Sequence, residues 1–174
     1  MILDIARLLL FPALMAFAAA SDLFTMTISN RVSLALIAGF LVLAPLGGMG
    51  PQDMLLHIGA GAAVLVVAFG CFAMGWVGGG DAKVAACVAL WLGFDHLLDY
   101  LVYASLFGGA LTVLLLQFRQ WPLPYSLAGQ AWLNQLHDKQ SGIPYGIALA
   151  LGALTIYPET EWIKAVDLTH LAMR

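Results

Sequence analysis

The sequence predicts an all-α polytopic membrane protein with about six transmembrane helices. Two observations carry that expectation. Hydrophobic residues make up 62% of the 174 residues and charged residues only 10%, against about 45–50% and about 25% in ordinary globular chains. So little charge cannot cover a surface that faces water, and the solvent must be lipid. Second, apolar segments follow one another with only short polar breaks, on the scale of the about 20 residues that a spanning helix needs.

Residues 2–20 form the first segment, interrupted by Asp4 and Arg7. Residues 32–46 form the second. Residues 54–77 are the cleanest, with His57 as the only side chain able to carry charge. Residues 82–94, 100–117 and 143–157 complete the set. The second, fourth and sixth segments are short for a span. They must borrow flanking polar residues, or the bilayer must thin around them; a chain of about five spans is the fallback. Residues 8–17 followed by Ala18-Ala19-Ala20 also look like a signal-peptide core and its cleavage site. The acidic Asp4 and the single basic Arg7 speak against that reading, because such a leader begins with a positively charged stretch.

Charge sets an orientation. With six spans and the N-terminus outside, Arg31, Lys83, Arg119 and Lys139 lie inside, against Lys164, Arg174 and the nearby Arg7 outside. This small excess follows the positive-inside rule. Asp22, Asp81 and Asp138 fall inside, and the other acidic residues outside. The longest break, 118–142, falls inside. Its Leu127, Ala131 and 133–136 form one face expected to lie on the membrane surface. The tail, 159–174, offers Trp162, Ile163, Val166 and Leu171 for the same purpose. The whole chain, 1–174, reads as a single integral-membrane domain. A net charge of -3 argues against nucleic acid as a partner. Cys71 and Cys87 form no CxxC pair, and no His/Cys/Asp/Glu cluster has metal-ligand spacing, so neither metal nor cofactor is expected.

Two acids stand out. Asp22 sits at the inner end of the first span. Asp81 sits at the inner start of the fourth, directly after Gly78, Gly79 and Gly80. Taken singly, each is as well read as a solvated helix-end acid, for instance an N-cap at Asp81. Taken together, on one membrane face, they read as functional, because an acid at membrane depth is costly. The glycines permit positive φ and close backbone approach, so the loop could admit a substrate chain; a plain helix break is the simpler reading of them. Two carboxyls sharing a site cannot easily both ionise. One then serves as base toward water while the other hydrogen-bonds a peptide carbonyl. Lys83, about 200° around a helix from Asp81, is expected to snorkel to headgroups rather than to pair with it. Asn30 reads as a turn residue as readily as a site residue. Pro144 reads as a helix start.

The stretch Gly78-Gly79-Gly80-Asp81-Ala82-Lys83 resembles the GxGD motif of the type IV prepilin peptidases. Ser21-Asp22 followed by Ile28-Ser29-Asn30 is similar to that family's first-aspartate region, with Ser29 where proline is common. Ile143-Pro144-Tyr145-Gly146 before an apolar run resembles its last helix start. The three motifs occur in the family's order. The resemblance implies an aspartic endopeptidase of the bacterial inner membrane that removes a short basic leader from a prepilin precursor at the cytoplasmic face. It implies Asp22 and Asp81 as catalytic, with Gly78, Gly79, Gly80, Asn30, Pro144, Tyr145 and Gly146 shaping the site. The compact length looks most like the short peptidases of tight-adherence (Flp-type) pili. Longer members also methylate the new amino terminus, using an added region with two CxxC pairs. Here the first span begins almost at Met1 and those pairs are missing, so cleavage without methylation is expected. A non-catalytic scaffold or small transporter is the alternative, but a transporter would want paired broken segments in two related halves.

Cysteine labelling in intact cells tests the topology. Position 126 should react from the cytoplasmic side, and positions 53 and 174 from the other. Labelling of 126 and 174 from one side would overturn the six-span arrangement.

Overall fold

The computed structural model describes residues 2–124, 129–164 and 166. Among these, regular structure is entirely helical: α1 (Ile2–Thr25), α2 (Asn30–Leu46), α3 (Pro51–Ala73), α4 (Gly79–Leu92), α5 (Leu97–Phe118), α6 (Ala131–His137), α7 (Tyr145–Ile156), a 3-10 turn (Tyr157–Glu159) and α8 (Glu161–Lys164). Three of these helices, α1, α3 and α5, are long and apolar enough to cross a membrane. The apolar helices α2, α4 and α7 have 17, 14 and 12 residues. They coincide with the three segments that the sequence already marked as short.

α4 is the axis of the bundle. Nine of its 14 residues are buried, and α3, α2 and α7 pack against it. α1 lies on α7 and α2, and α5 lies on α7. α3 is peripheral, since among the described residues α4 is its only substantial neighbour. It keeps only Ala60 and Gly61 buried and turns the rest of its apolar surface outward, where lipid replaces water as the solvent.

The core is aromatic. Trp91 of α4 is fully buried, with ring centroids 5.1 Å from Phe11, 6.2 Å from Phe40 and 4.7 Å from Trp162. Polar atoms in such a core must find partners. Trp91 Nε1 donates to the Leu36 carbonyl at 2.9 Å, and Trp162 Nε1 to the Trp91 carbonyl at 2.7 Å. Tyr157 Oη donates to the Arg7 carbonyl at 2.7 Å. His57 of α3 sits 2.9 Å from the Leu90 carbonyl through Nδ1 and stacks on Phe40.

One expectation changes here. Trp162 and Val166, expected at the membrane surface, are buried, and Trp162 closes the aromatic core; Leu171 lies outside the described residues. Two basic side chains are buried as well. Arg7 has its guanidinium packed over Gly47 at the C-terminus of α2. Its charge there complements the negative end of the helix dipole. Arg119 is the other. Its Nε donates to the Leu136 carbonyl at 2.8 Å and an Nη to the Gly142 carbonyl at 2.7 Å. Within the 118–142 break, α6 forms with no fully buried residue and rests on Phe24 of α1 through Trp132, at 5.4 Å between ring centroids; Leu127 lies outside the described residues.

α7 approaches its neighbours closely because its buried face is built from glycine and alanine. A Cβ added at Gly152 would stand 2.9 Å from the Ala104 backbone nitrogen of α5, a contact that only a backbone shift relieves. Gly152→Val should therefore lower the apparent melting temperature in detergent, with over-packing costing about 1–3 kcal/mol. Leu151→Val, at an exposed neighbour, should leave that temperature nearly unchanged.

Candidate active site

Asp22 belongs to the last turn of α1, which runs on past residue 20 to Thr25. Met26 then adopts φ 52°, and its N–H donates to the Asp22 carbonyl at 2.8 Å, so a left-handed residue ends the helix. The return loop is tied back by Ser21 Oγ, which donates to the Thr27 carbonyl at 2.8 Å. Ser29 caps α2, its Oγ accepting from the Arg31 N–H at 3.3 Å. Its φ is −65°, the value that a proline ring would fix. Serine at this position thus keeps the backbone that a proline would impose, and adds a cap.

Asp81 is the third residue of α4, after Gly78 as the N-cap. A carboxylate in a first helical turn faces unpaired N–H groups and the positive end of the dipole. The three glycines serve close approach. Gly78, Gly79 and Gly80 all lie outside the left-handed region, and each faces a different neighbour. A Cβ at Gly78 would meet Asp81 Oδ2 at 2.8 Å, one at Gly79 the Phe72 ring at 3.2 Å, and one at Gly80 Ile28 Cβ at 3.3 Å. The expected permissive loop is the opening of a helix, and positive φ in the preceding turn belongs to Gly75.

The third motif closes on the first. Tyr145 N donates to the Ile143 carbonyl at 2.8 Å around Pro144, and α7 starts at Tyr145. The Gly146 N–H then donates to Asp22 Oδ2 at 2.7 Å, across 124 positions of sequence. Asp22 is buried, with 5% of its surface exposed. Ile28 joins the two acidic turns, facing Gly80 on one side and Gly146 on the other. Ile28 thereby sets the turn that carries Asp22 beside the turn that carries Asp81. Asn30 joins as well, its Oδ1 accepting from Lys83 Nζ at 2.9 Å. Lys83 thus bridges the α2–α4 junction.

The two acids differ in access. Asp22 is enclosed behind Gly146, while Asp81 lines a cavity of about 560 Å³ between α3, α4, α5 and α7. Trp76, Ala82, Ala85, Leu101, Tyr145 and Leu149 contribute to its largely apolar wall. Tyr145 is braced there by Thr112, with 3.2 Å between the two hydroxyls. Among the described residues, no three His, Cys, Asp or Glu side chains converge at metal-ligating distance.

Sequence reasoning singled out Asp22, Asp81, the glycines, Asn30, Pro144, Tyr145 and Gly146, and the fold brings all of them to one end of the bundle. It passed over Thr112 and the bracing role of Arg119. Neither residue type is unusual in its segment, so no sequence signal marks them.

Helical throughout its described regular structure, with three helices long and apolar enough to cross a membrane, the chain fits an integral membrane protein. The chain belongs to the type IV leader peptidase family, whose sequence model matches residues 9–113. That match includes Asp22, Ile28-Ser29-Asn30 and 78–83, and stops before Gly146. No curated protein and no solved structure matches the chain.

The Gly146 contact yields a prediction. A Cβ there would stand 2.8 Å from both Asp22 Oδ2 and Ile28 Cδ1. Gly146→Ala should cut leader cleavage by more than about tenfold, because a displacement near 1 Å at a reacting group costs up to about 100-fold. Membrane insertion, read by accessibility labelling, should be retained.

Proposed function

We propose that this chain is an aspartic endopeptidase that removes the leader from prepilin-like precursors, with Asp22 and Asp81 as the catalytic pair. Membership of the leader peptidase family supports peptidase activity on a prepilin substrate. The observation that carries the residue assignment is the junction just described. Asp22 of α1 accepts the Gly146 N–H, Asp81 of α4 faces the cavity, and Ile28 fixes one turn against the other.

The chemistry follows from two carboxyls that share one proton. The ionised member accepts a proton from water as the water oxygen bonds to the scissile carbonyl carbon. The protonated member gives its proton to the carbonyl oxygen as negative charge develops there. Collapse of the tetrahedral intermediate moves a proton to the amide nitrogen and breaks the C–N bond. The products are a leader ending in a carboxyl group and a mature chain with a free α-amine. The apolar cavity beside Asp81 suits the hydrophobic segment that follows a pilin leader. The cavity is open between α3 and α5, which do not pack substantially on each other. The substrate's apolar helix enters there from the lipid, and its leader junction stops at Asp81. The site faces the cytoplasm of a bacterial inner membrane, on the charge bias of the loops. A Flp-type pilus system is the setting proposed for it.

Asp22→Asn and Asp81→Asn test the pair. Each amide is nearly isosteric but cannot relay the proton. Each should abolish cleavage of a co-expressed precursor while the protein still inserts, in cells lacking another such peptidase. Normal processing by either variant would remove that aspartate from the mechanism.

The reaction ends at the free amine. Cys71 lies on α3 and Cys87 on α4, both as free thiols. Two thiols cannot supply the four-thiolate site that paired CxxC motifs provide. Intact-mass analysis of substrate processed by the purified protein with S-adenosylmethionine should show the mature chain without added mass. A gain of one methyl group would overturn this.

A further inference from the structure

The peripheral position of α3 leaves a groove on each of its flanks. One flank holds the cavity with Asp81. On the other, between α2 and α3, lies a cavity of about 630 Å³ with Ala86 of α4 among its lining. Leu34, Ile37 and Leu41 of α2 and Ile58 and Leu65 of α3 form its apolar walls. Lys83 and Asn30 line one end, and among the described residues no carboxylate lines the cavity. Lys83 Nζ has the neutral Asn30 Oδ1 at 2.9 Å, so its charge is not cancelled there. Arg31, exposed, follows in the first turn of α2, which contains no acid. The N-terminus of α2 adds its own partial positive charge. The polar end is therefore a patch of one sign above an apolar slot.

Depth and charge select the occupant. From Asn30 to Leu41, α2 rises about 16 Å, half of the about 30 Å of a hydrocarbon core. A spanning helix would need twice that depth, and a basic leader would be repelled by Lys83 and Arg31. A single acyl chain under an anionic phosphate satisfies both conditions. Basic pockets between membrane helices suit such headgroups. We propose that the groove between α2 and α3 binds an anionic phospholipid, its acyl chain between the helices and its phosphate on Lys83 at the N-terminal end of α2.

The full chain, purified in detergent, tests this by native mass spectrometry. Phosphatidylglycerol and phosphatidylcholine of identical chains are titrated, with glycerol 3-phosphate as the headgroup alone. Phosphatidylglycerol should bind more tightly than either. Lys83→Gln should weaken it about fivefold, the worth of one cation near an anionic headgroup, and leave phosphatidylcholine unaffected. Ala62→Trp fills the slot from α3 without touching a charge, and should abolish phosphatidylglycerol binding. Lys139→Gln, which removes an exposed cation elsewhere, should change nothing. The site is overturned if Ala62→Trp binds phosphatidylglycerol like the parent, or if Lys139→Gln weakens it as much as Lys83→Gln. Equal binding of the two lipids, or of free glycerol 3-phosphate, overturns it too. Should Lys83→Gln fail to fold, the comparison of Ala62→Trp with the parent decides alone.

Discussion

The bond from the Gly146 N–H to Asp22 Oδ2 is the contact on which the arrangement of this site depends. A carboxyl enclosed in an apolar bundle requires a polar partner. Here it takes a backbone donor from the first turn of α7, which lacks an intrahelical acceptor by construction. One bond thus answers two needs, the acid's and the helix end's. It also fixes α7 against α1, and α7 in turn carries α5 and contacts α4. Glycine is required at this position because a side chain would occupy the space of the carboxyl and of Ile28.

The segment that delivers Gly146 is held from behind. Arg119, at the C-terminal end of α5, donates to the carbonyls of Leu136 and Gly142. It thereby joins α6 and the approach to α7 in one hydrogen-bonded unit. A guanidinium with several donors in a rigid fork suits this task better than a lysine would. On the other side, Lys83 and Asn30 join α4 to the start of α2. Ile28 packs between these segments, and a polar contact holds each acidic turn: the Gly146 N–H on Asp22, and the Lys83–Asn30 bridge beside Asp81.

The position of α3 gives the bundle its asymmetry. Helices in lipid gain little from burying apolar surface against one another, so close packing and polar contacts decide which of them adhere. α3 meets α4 through Gly61, where a Cβ would stand 3.2 Å from the Ala86 carbonyl, and through the His57 ring on the Leu90 carbonyl. With α2 it shares the His57–Phe40 ring stack, but among the described residues it packs far less closely on α2 and α5 than on α4. Two grooves result. Asp81 opens into one of them and Lys83 into the other, because residues two apart on a helix point to nearly opposite sides.

The sequence by itself determined the class of protein and pointed to the residues of the candidate site. Composition required lipid as solvent. The order of the apolar segments gave the helices, down to the shortness of the second, fourth and sixth, and the costly acids beside glycines marked the site. These features are local, and local rules read them. Tertiary structure decided what depends on residues far apart in the chain. That Asp22 takes its partner from Gly146, that Trp162 enters the aromatic core rather than the interface, and that Arg7 and Arg119 are buried on carbonyl-rich helix ends are all of this kind. A periodic pattern states which face of a helix avoids water. In lipid even that signal fades, since both faces are apolar, and only small-residue packing and hydrogen bonding remain to choose each helix's neighbours.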